Sequence, residues 1–157
     1  MNVLKPSKRH VYWIVGSKGN EGKSWFQDYL QTKYGYDRAV RLDVCNKPSN
    51  IFYALSRRPL QTTELFLFND ARSQDDVSYI VLELIKDGSA TSTKYSSTPI
   101  TFKRPNIVIV FSNRRPVRSN LSDDRWLEYY ITSKGELRKK TSVVRSTTAS
   151  SSTSSSF

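Results

Sequence analysis

The sequence predicts an α/β sandwich around a mainly parallel sheet. Three observations carry that expectation. Short β-rich apolar runs alternate with amphipathic stretches along the chain. The first run, Val11-Tyr12-Trp13-Ile14-Val15, is apolar at successive positions, as a strand buried on both faces requires. A Gly-rich turn follows it and opens directly into helical spacing.

Taken in order, residues 24–34 place Trp25, Phe26, Tyr29 and Leu30 at helical intervals, with Gly35 suited to close the helix. Residues 39–44 read as a second strand. Ser49 is a candidate cap for a short helix containing Ile51, Phe52 and Leu55. Residues 65–68 form a third strand ending in Asn69-Asp70. Asp75 or Asp76 is then expected to cap a helix with Val77, Ile80, Val81, Leu84 and Ile85 on one face and Gly88 at its end. Residues 89–103 are polar and rich in Ser and Thr, and suggest an extended hairpin. The most hydrophobic strand is 107–111, and a last β-like run covers 126–131. Trp13, Trp25 and Trp126 fall at helix or strand positions and are expected to pack in the core.

Around this domain, expected over 11–140, lie a basic arm over 1–10 and a tail over 141–157. In that tail 12 of 17 residues are Ser or Thr, too little apolar surface to offset the entropy of ordering.

The 157 residues carry 25 Lys+Arg against 14 Asp+Glu, a formal net charge of +11, which points to a polyanionic partner, nucleic acid before membrane. One Cys excludes a disulfide framework, and with a single His no zinc cluster can be assembled. No apolar stretch approaches the roughly 20 residues that span a bilayer, and the N-terminal residues lack the apolar core of a signal peptide. An intracellular protein without a membrane partner is expected. Triad hydrolases and His-dependent nickases would all have to use His10, in the basic arm.

The chemical centre is Gly16-Ser17-Lys18-Gly19-Asn20-Glu21-Gly22-Lys23-Ser24, lying between a buried strand and a helix. In that setting backbone N–H groups around Gly19, Asn20, Glu21 and Gly22 would cradle a β-phosphate. Lys23 would neutralise β- and γ-phosphate oxygens, and the Ser24 hydroxyl would take a Mg²⁺ coordination position. The strict phosphate-loop pattern has glycine at position 17; here Ser17 stands there and Gly16 comes one place early. A nucleoside triphosphatase also needs an acid at the end of a neighbouring strand, which Asn69-Asp70 can supply. It further needs a polar group near the γ-phosphate, which Asn113, at the end of the apolar strand, can supply.

These motifs resemble the superfamily 3 helicase domain, a P-loop ATPase, of replication initiator (Rep) proteins from small circular single-stranded DNA viruses, nanovirus and alphasatellite members above all. The similarity covers the loop from Gly16 to Ser24, including its extra residue. It continues through Phe68-Asn69-Asp70-Ala71-Arg72, Ile85-Lys86-Asp87-Gly88, Lys94-Tyr95, the strand ending in Asn113, and Leu121-Ser122-Asp123-Asp124-Arg125-Trp126. It spans about residues 11–131. The resemblance implies an AAA+-like sandwich with a five-stranded, mainly parallel sheet and a β-hairpin insertion. It implies ATP and Mg²⁺, a homo-oligomeric ring, hexameric in the family's pattern, and movement along single-stranded DNA, RNA being the related alternative. It places a γ-phosphate-reaching arginine finger at Arg125 and strand contacts at Lys94 and Tyr95. A DNA-virus origin would place the protein in the host nucleus. The family's metal-binding Asp falls on Asn69, with the acid one residue later at Asp70, so Asp70 would turn in as ligand if the strand ends early. The nicking endonuclease of full-length Rep proteins has no counterpart in this sequence. A small nucleotide kinase and a non-catalytic nucleic-acid-binding protein with a degenerate nucleotide site remain alternatives.

Overall fold

The computed structural model describes residues 4–16, 22–70, 76–95 and 97–141. Strand β1 (Val11–Val15) is buried along nearly its whole length. It lies parallel between β6 (Ile107–Ser112) and β7 (Trp126–Ile131), with Val11 level with Val108 on one side and Trp126 on the other. β2 (Ala39–Asp43) and β3 (Leu65–Asn69) extend the parallel sheet beyond β6. β8 (Leu137–Lys139) adds an antiparallel edge to β7, giving the order β2-β3-β6-β1-β7-β8. The sheet therefore has six strands rather than five. The sixth is a three-residue edge strand, and its polar Leu-Arg-Lys sequence carries no periodic signal.

Strand alternation divides the core into two layers. Val11, Trp13, Phe66, Phe68, Val108 and Val110 face α2 (Pro48–Ser56) and α3 (Tyr79–Asp87), whose Ile51, Phe52, Leu55, Val81, Leu82 and Ile85 pack on them. Tyr12, Ile14, Leu65, Leu67, Ile109 and Phe111 face the other way, toward Leu30 of α1 (Lys23–Tyr34). The expected hairpin is β4 (Ser89–Ser92) paired antiparallel with β5 (Thr98–Thr101), and it contributes Ile100 to the first layer.

Several local expectations are corrected. α2 starts at Pro48 with Lys47 as its cap residue, so Ser49 lies inside the helix; proline at the first helical position sets the start. α3 starts after Ser78, which displaces Asp76 as its cap, while Asp75 lies outside the described residues. Ile80 is 47% exposed, because the buried arc of α3 runs through Val81, Leu82 and Ile85. Trp13 and Trp126 are core residues, but Trp25 is 69% exposed and stacks on Tyr29 at 5.6 Å, since α1 buries only Gln27 and Leu30. Within the basic arm, Ser7 pairs with Asn106 and Arg9 with Asp124, so residues 4–10 lie against the domain. The tail beyond Thr141 lies outside the described residues. Among the described residues, no helix is long and apolar enough to cross a membrane.

Candidate functional site

The carboxyl ends of β1, β3 and β6 meet at one edge of the sheet. β6 stands between the other two, and its last residue joins them: the Ser112 carbonyl accepts from Gly16 N–H at 2.9 Å, and the Ser112 hydroxyl donates to Asp70 Oδ2 at 2.5 Å. Successive residues of an extended segment point to opposite sides, and residues 112–114 use both. Asn113 Oδ1 accepts from Lys23 Nζ at 2.6 Å, while Arg114 donates to Asp70 through Nε at 2.9 Å and Nη2 at 3.1 Å. Lys23 Nζ also reaches the Gly16 carbonyl at 2.8 Å.

Asp70 is turned inward and buried, and Asn69, one residue earlier, is exposed. The strand ends at Asn69, and the Asp70 N–H then binds the Phe111 carbonyl at 2.9 Å. The carboxylate also accepts from Cys45 Sγ at 2.9 Å. Burial pushes its pKa upward, but the hydrogen bonds from Arg114, Cys45 and Ser112 together outweigh that and hold it below the usual aspartate value. Asp70 is therefore an ionised carboxylate at this edge of the sheet. Among the described residues no three His, Cys, Asp or Glu side chains cluster as a metal cage. One carboxylate plus a hydroxyl suits Mg²⁺, which takes few protein ligands and completes its shell with phosphates and water.

Arg114 is half-exposed, yet its guanidinium is committed to Asp70 and its backbone is anchored. Trp13 Nε1 donates to its carbonyl at 2.8 Å, Trp13 stacks on Tyr79 at 6.1 Å, and the Tyr79 hydroxyl accepts from Val117 N–H at 2.9 Å. The buried Trp13 ring and the half-buried Tyr79 ring thus fix the loop that aims the guanidinium. Arg114, Ser112 and Cys45 carry no motif of their own; only their adjacency to Asn113, or to the end of β2, could have flagged them.

The other site residues lie apart from this cluster or outside it. Gly22 and Ser24 are described and exposed, whereas Gly19, Asn20 and Glu21 lie outside the described residues. Arg125 precedes β7, whose first residue is level with Val11, so it sits beyond the opposite end of β1 from Gly16, about 20 Å away at 3.3 Å per residue. Its side chain is 9% exposed and donates to Asp87 Oδ1 at 3.0 Å. The acids near it in sequence are engaged elsewhere: Asp124 by Arg9, Asp123 by Arg118, and the buried Glu128 by Arg115 and Arg118. At the hairpin, Tyr95 is 82% exposed, and Lys94 Nζ donates to Asn50 Oδ1 at 2.9 Å while lying 5.5 Å from the centres of both the Tyr53 and Tyr95 rings.

With this geometry in place, sequence comparison supplies the relatives. No protein-family model matches the chain. It is 30% identical over 124 residues to Para-Rep C1 of the Faba bean necrotic yellows C11 alphasatellite, covering 78% of this chain and 41% of that protein. It is 32% identical to Para-Rep C3 of the Milk vetch dwarf C3 alphasatellite, covering 76% and 40%. It is also 32% identical to the Master replication protein of Milk vetch dwarf virus, covering 78% and 40%. The chain is homologous to viral Rep proteins. It spans about 40% of the length of these Rep and Para-Rep relatives. The aligned share, about three quarters of the chain, is large enough to include most of the sheet and its site edge.

Proposed function

We propose that this Rep-like chain hydrolyses ATP with Mg²⁺ and couples hydrolysis to movement along single-stranded DNA. The observation that carries the reading is the junction at residues 112–114. There Asn113 meets the phosphate-loop lysine, and Ser112 and Arg114 meet the buried acid of the next strand.

In this reading Lys23 neutralises phosphate charge and Asn113 orients Lys23 or an attacking water. Asp70 and Ser24 hold Mg²⁺, which supplies charge neutralisation on the phosphates when bound. Arg114 occupies the Asp70 carboxylate through two hydrogen bonds, so it has to give up at least one to admit the cation. Exposed Tyr95 offers a stacking surface for a base, and Lys94 a contact for backbone phosphate. A ring, with Arg125 of one copy reaching the nucleotide of the next, belongs to the same proposal. It requires Arg125 to leave Asp87.

The test is steady-state ATP hydrolysis with Mg²⁺, with and without single-stranded DNA. Stimulation by DNA, lost in both Lys23→Ala and Asp70→Asn, is the expected result. Absence of hydrolysis in the unmodified protein across concentrations that permit assembly would sink the reading.

The bidentate Arg114–Asp70 pair favours one second reading, a nucleic-acid-binding protein whose nucleotide site is closed. That alternative expects DNA binding unchanged by ATP and by Lys23→Ala.

A further inference from the structure

Beyond Asp70, on the side away from β1, the carboxyl ends of β2 and β3 open into a pocket of about 770 Å³. Cys45, Lys47 and Asn50 line one side, Ser78 another, and Thr93 and Lys94 of the hairpin a third. Its floor is the turn after β2, and that turn is held from two directions. Ser78 N–H donates to the Val44 carbonyl at 2.9 Å, and Ser78 Oγ to the Asn46 carbonyl at 2.6 Å. Underneath, Val44 N–H binds the Asn69 carbonyl at 3.0 Å, and Cys45 Sγ binds Asp70.

The hairpin wall is braced from α2. The Tyr53 ring meets Tyr95 edge-on at 5.1 Å, and Asn50 fixes Lys94 between the two rings. Tyr95 has a φ of 68°, a left-handed conformation that costs a non-glycine residue about 1–2 kcal/mol. The tip therefore keeps its exposed ring in place against a local backbone preference.

This pocket has the volume of a small-molecule site. Among its described lining residues two lysines stand against one carboxylate, that of Asp76, and the amide and hydroxyl groups match the polar edge of a base. An aromatic ring stands at its mouth. The pocket lies beyond β3, which is two strand positions from β1, about 10 Å at 4.8 Å per strand, so it is displaced sideways from Lys23.

We propose that the pocket holds one nucleotide of a single strand, with phosphate between Lys47 and Lys94 and base against the Tyr53–Tyr95 pair, and that Cys45 transmits its occupancy to Asp70. The transmission part rests on the ATP-hydrolysis reading; the binding part does not. Cys45 is here a positioning residue. A strand that displaces the 44–46 turn changes one of the hydrogen bonds that orient the Asp70 carboxylate.

Cys45 is the only cysteine in the sequence, so its alkylation reports on this pocket alone. The experiment measures the rate of reaction with iodoacetamide with no ligand, with a short oligothymidylate, and with ATP and Mg²⁺. The oligonucleotide is expected to slow the reaction at least fivefold (about 1 kcal/mol of protection), and ATP to change it less than twofold. Lys47→Ala and Tyr53→Ala, both outside the phosphate loop, are expected to lose most of the protection at equal oligonucleotide concentration. Oligonucleotide binding by anisotropy without protection, no oligonucleotide binding at all, or protection by ATP alone each overturns the strand pocket.

For transmission, the readout is the ratio of hydrolysis with and without DNA. Cys45→Ala is expected to bring it toward one, and Cys45→Ser, which keeps a donor for Asp70, to restore it. An unchanged ratio in Cys45→Ala overturns transmission and leaves the pocket standing. If the unmodified protein hydrolyses no ATP, transmission falls with the reading beneath it, and the alkylation rates still decide the pocket.

Discussion

Asp70 is the residue on which most of the site's electrostatics converge. Its folded pKa is depressed, so its stabilising contribution is complete above the unfolded value and is lost as pH falls through the folded one. Arg114→Ala removes two charge-assisted bonds, and with the guanidinium about half exposed the cost is about 1–2 kcal/mol after screening. Urea unfolding between pH 7 and pH 3 is expected to show that loss at neutral pH, and a shallower acid decline than in the unmodified protein, because the Asp70 pKa is then less depressed. Lys86 acts at the alkaline end of the pH range. It is fully buried, with Nζ bonded only to the carbonyls of Ser7 and Asn106 among the contacts described, and burial, with Arg104 and Arg125 nearby, lowers its pKa to about 7. The unfolded chain then holds more protons than the folded one between about pH 7 and its ordinary pKa near 10.5, so this group makes stability rise with pH across that window. Lys86→Met is expected to flatten the rise, as read from urea midpoints between pH 7 and 9. Of these residues, Lys23, Asp70 and Asn113 were legible from motif and position. Arg114 and Lys86 were not, because their meaning lies in burial and in partners dozens of residues away.

At the level of elements, helix ends decide where side chains arrive. Gly88 ends α3 at φ 97°, and a Cβ there would stand 2.5 Å from Cδ of Arg104. Gly88→Ala is expected to cost about 1–2 kcal/mol for the left-handed backbone, with Arg104 shifting besides, measurable as a lowered thermal midpoint. Strands buried on both faces were easy to read: β1, β3 and β6 are continuous apolar runs, and in each the polar residues begin where the site does. The hairpin was legible from its Ser- and Thr-rich composition between turn signals. Helix starts were not, because Ser49 and Asp76 are good capping types that lost to Pro48 and Ser78 through tertiary contacts. Ser78 is held by Val44 and Asn46, partners that no local pattern names. Trp25 misled for a related reason: helical spacing places it on an aromatic stripe, but only part of that stripe meets the sheet.

Across the whole molecule, the formal charge of +11 means that the proposed binding of a single strand would be driven by released counterions. The logarithm of the binding constant is expected to fall linearly with the logarithm of salt concentration. Lys47→Ala should make that slope shallower by about 0.7, the amount for one phosphate contact on a single strand. A slope that does not change would remove Lys47 from the backbone contacts.

The order of the strands also dictates the order in which the molecule can be made. The middle of the sheet, β6, is synthesised after both strands that flank it, so a chain emerging only as far as residue 105 carries β1 and β3 with no neighbour to separate or join them. Those apolar strand edges are the kind that associate between molecules. Lys23 and Asn113, 90 residues apart, cannot meet before the nascent chain has delivered β6. The Lys23–Asn113 contact is thus a mark that β6 has been delivered, and a chain cut at residue 105 is expected to collect in the insoluble fraction while the 157-residue chain does not.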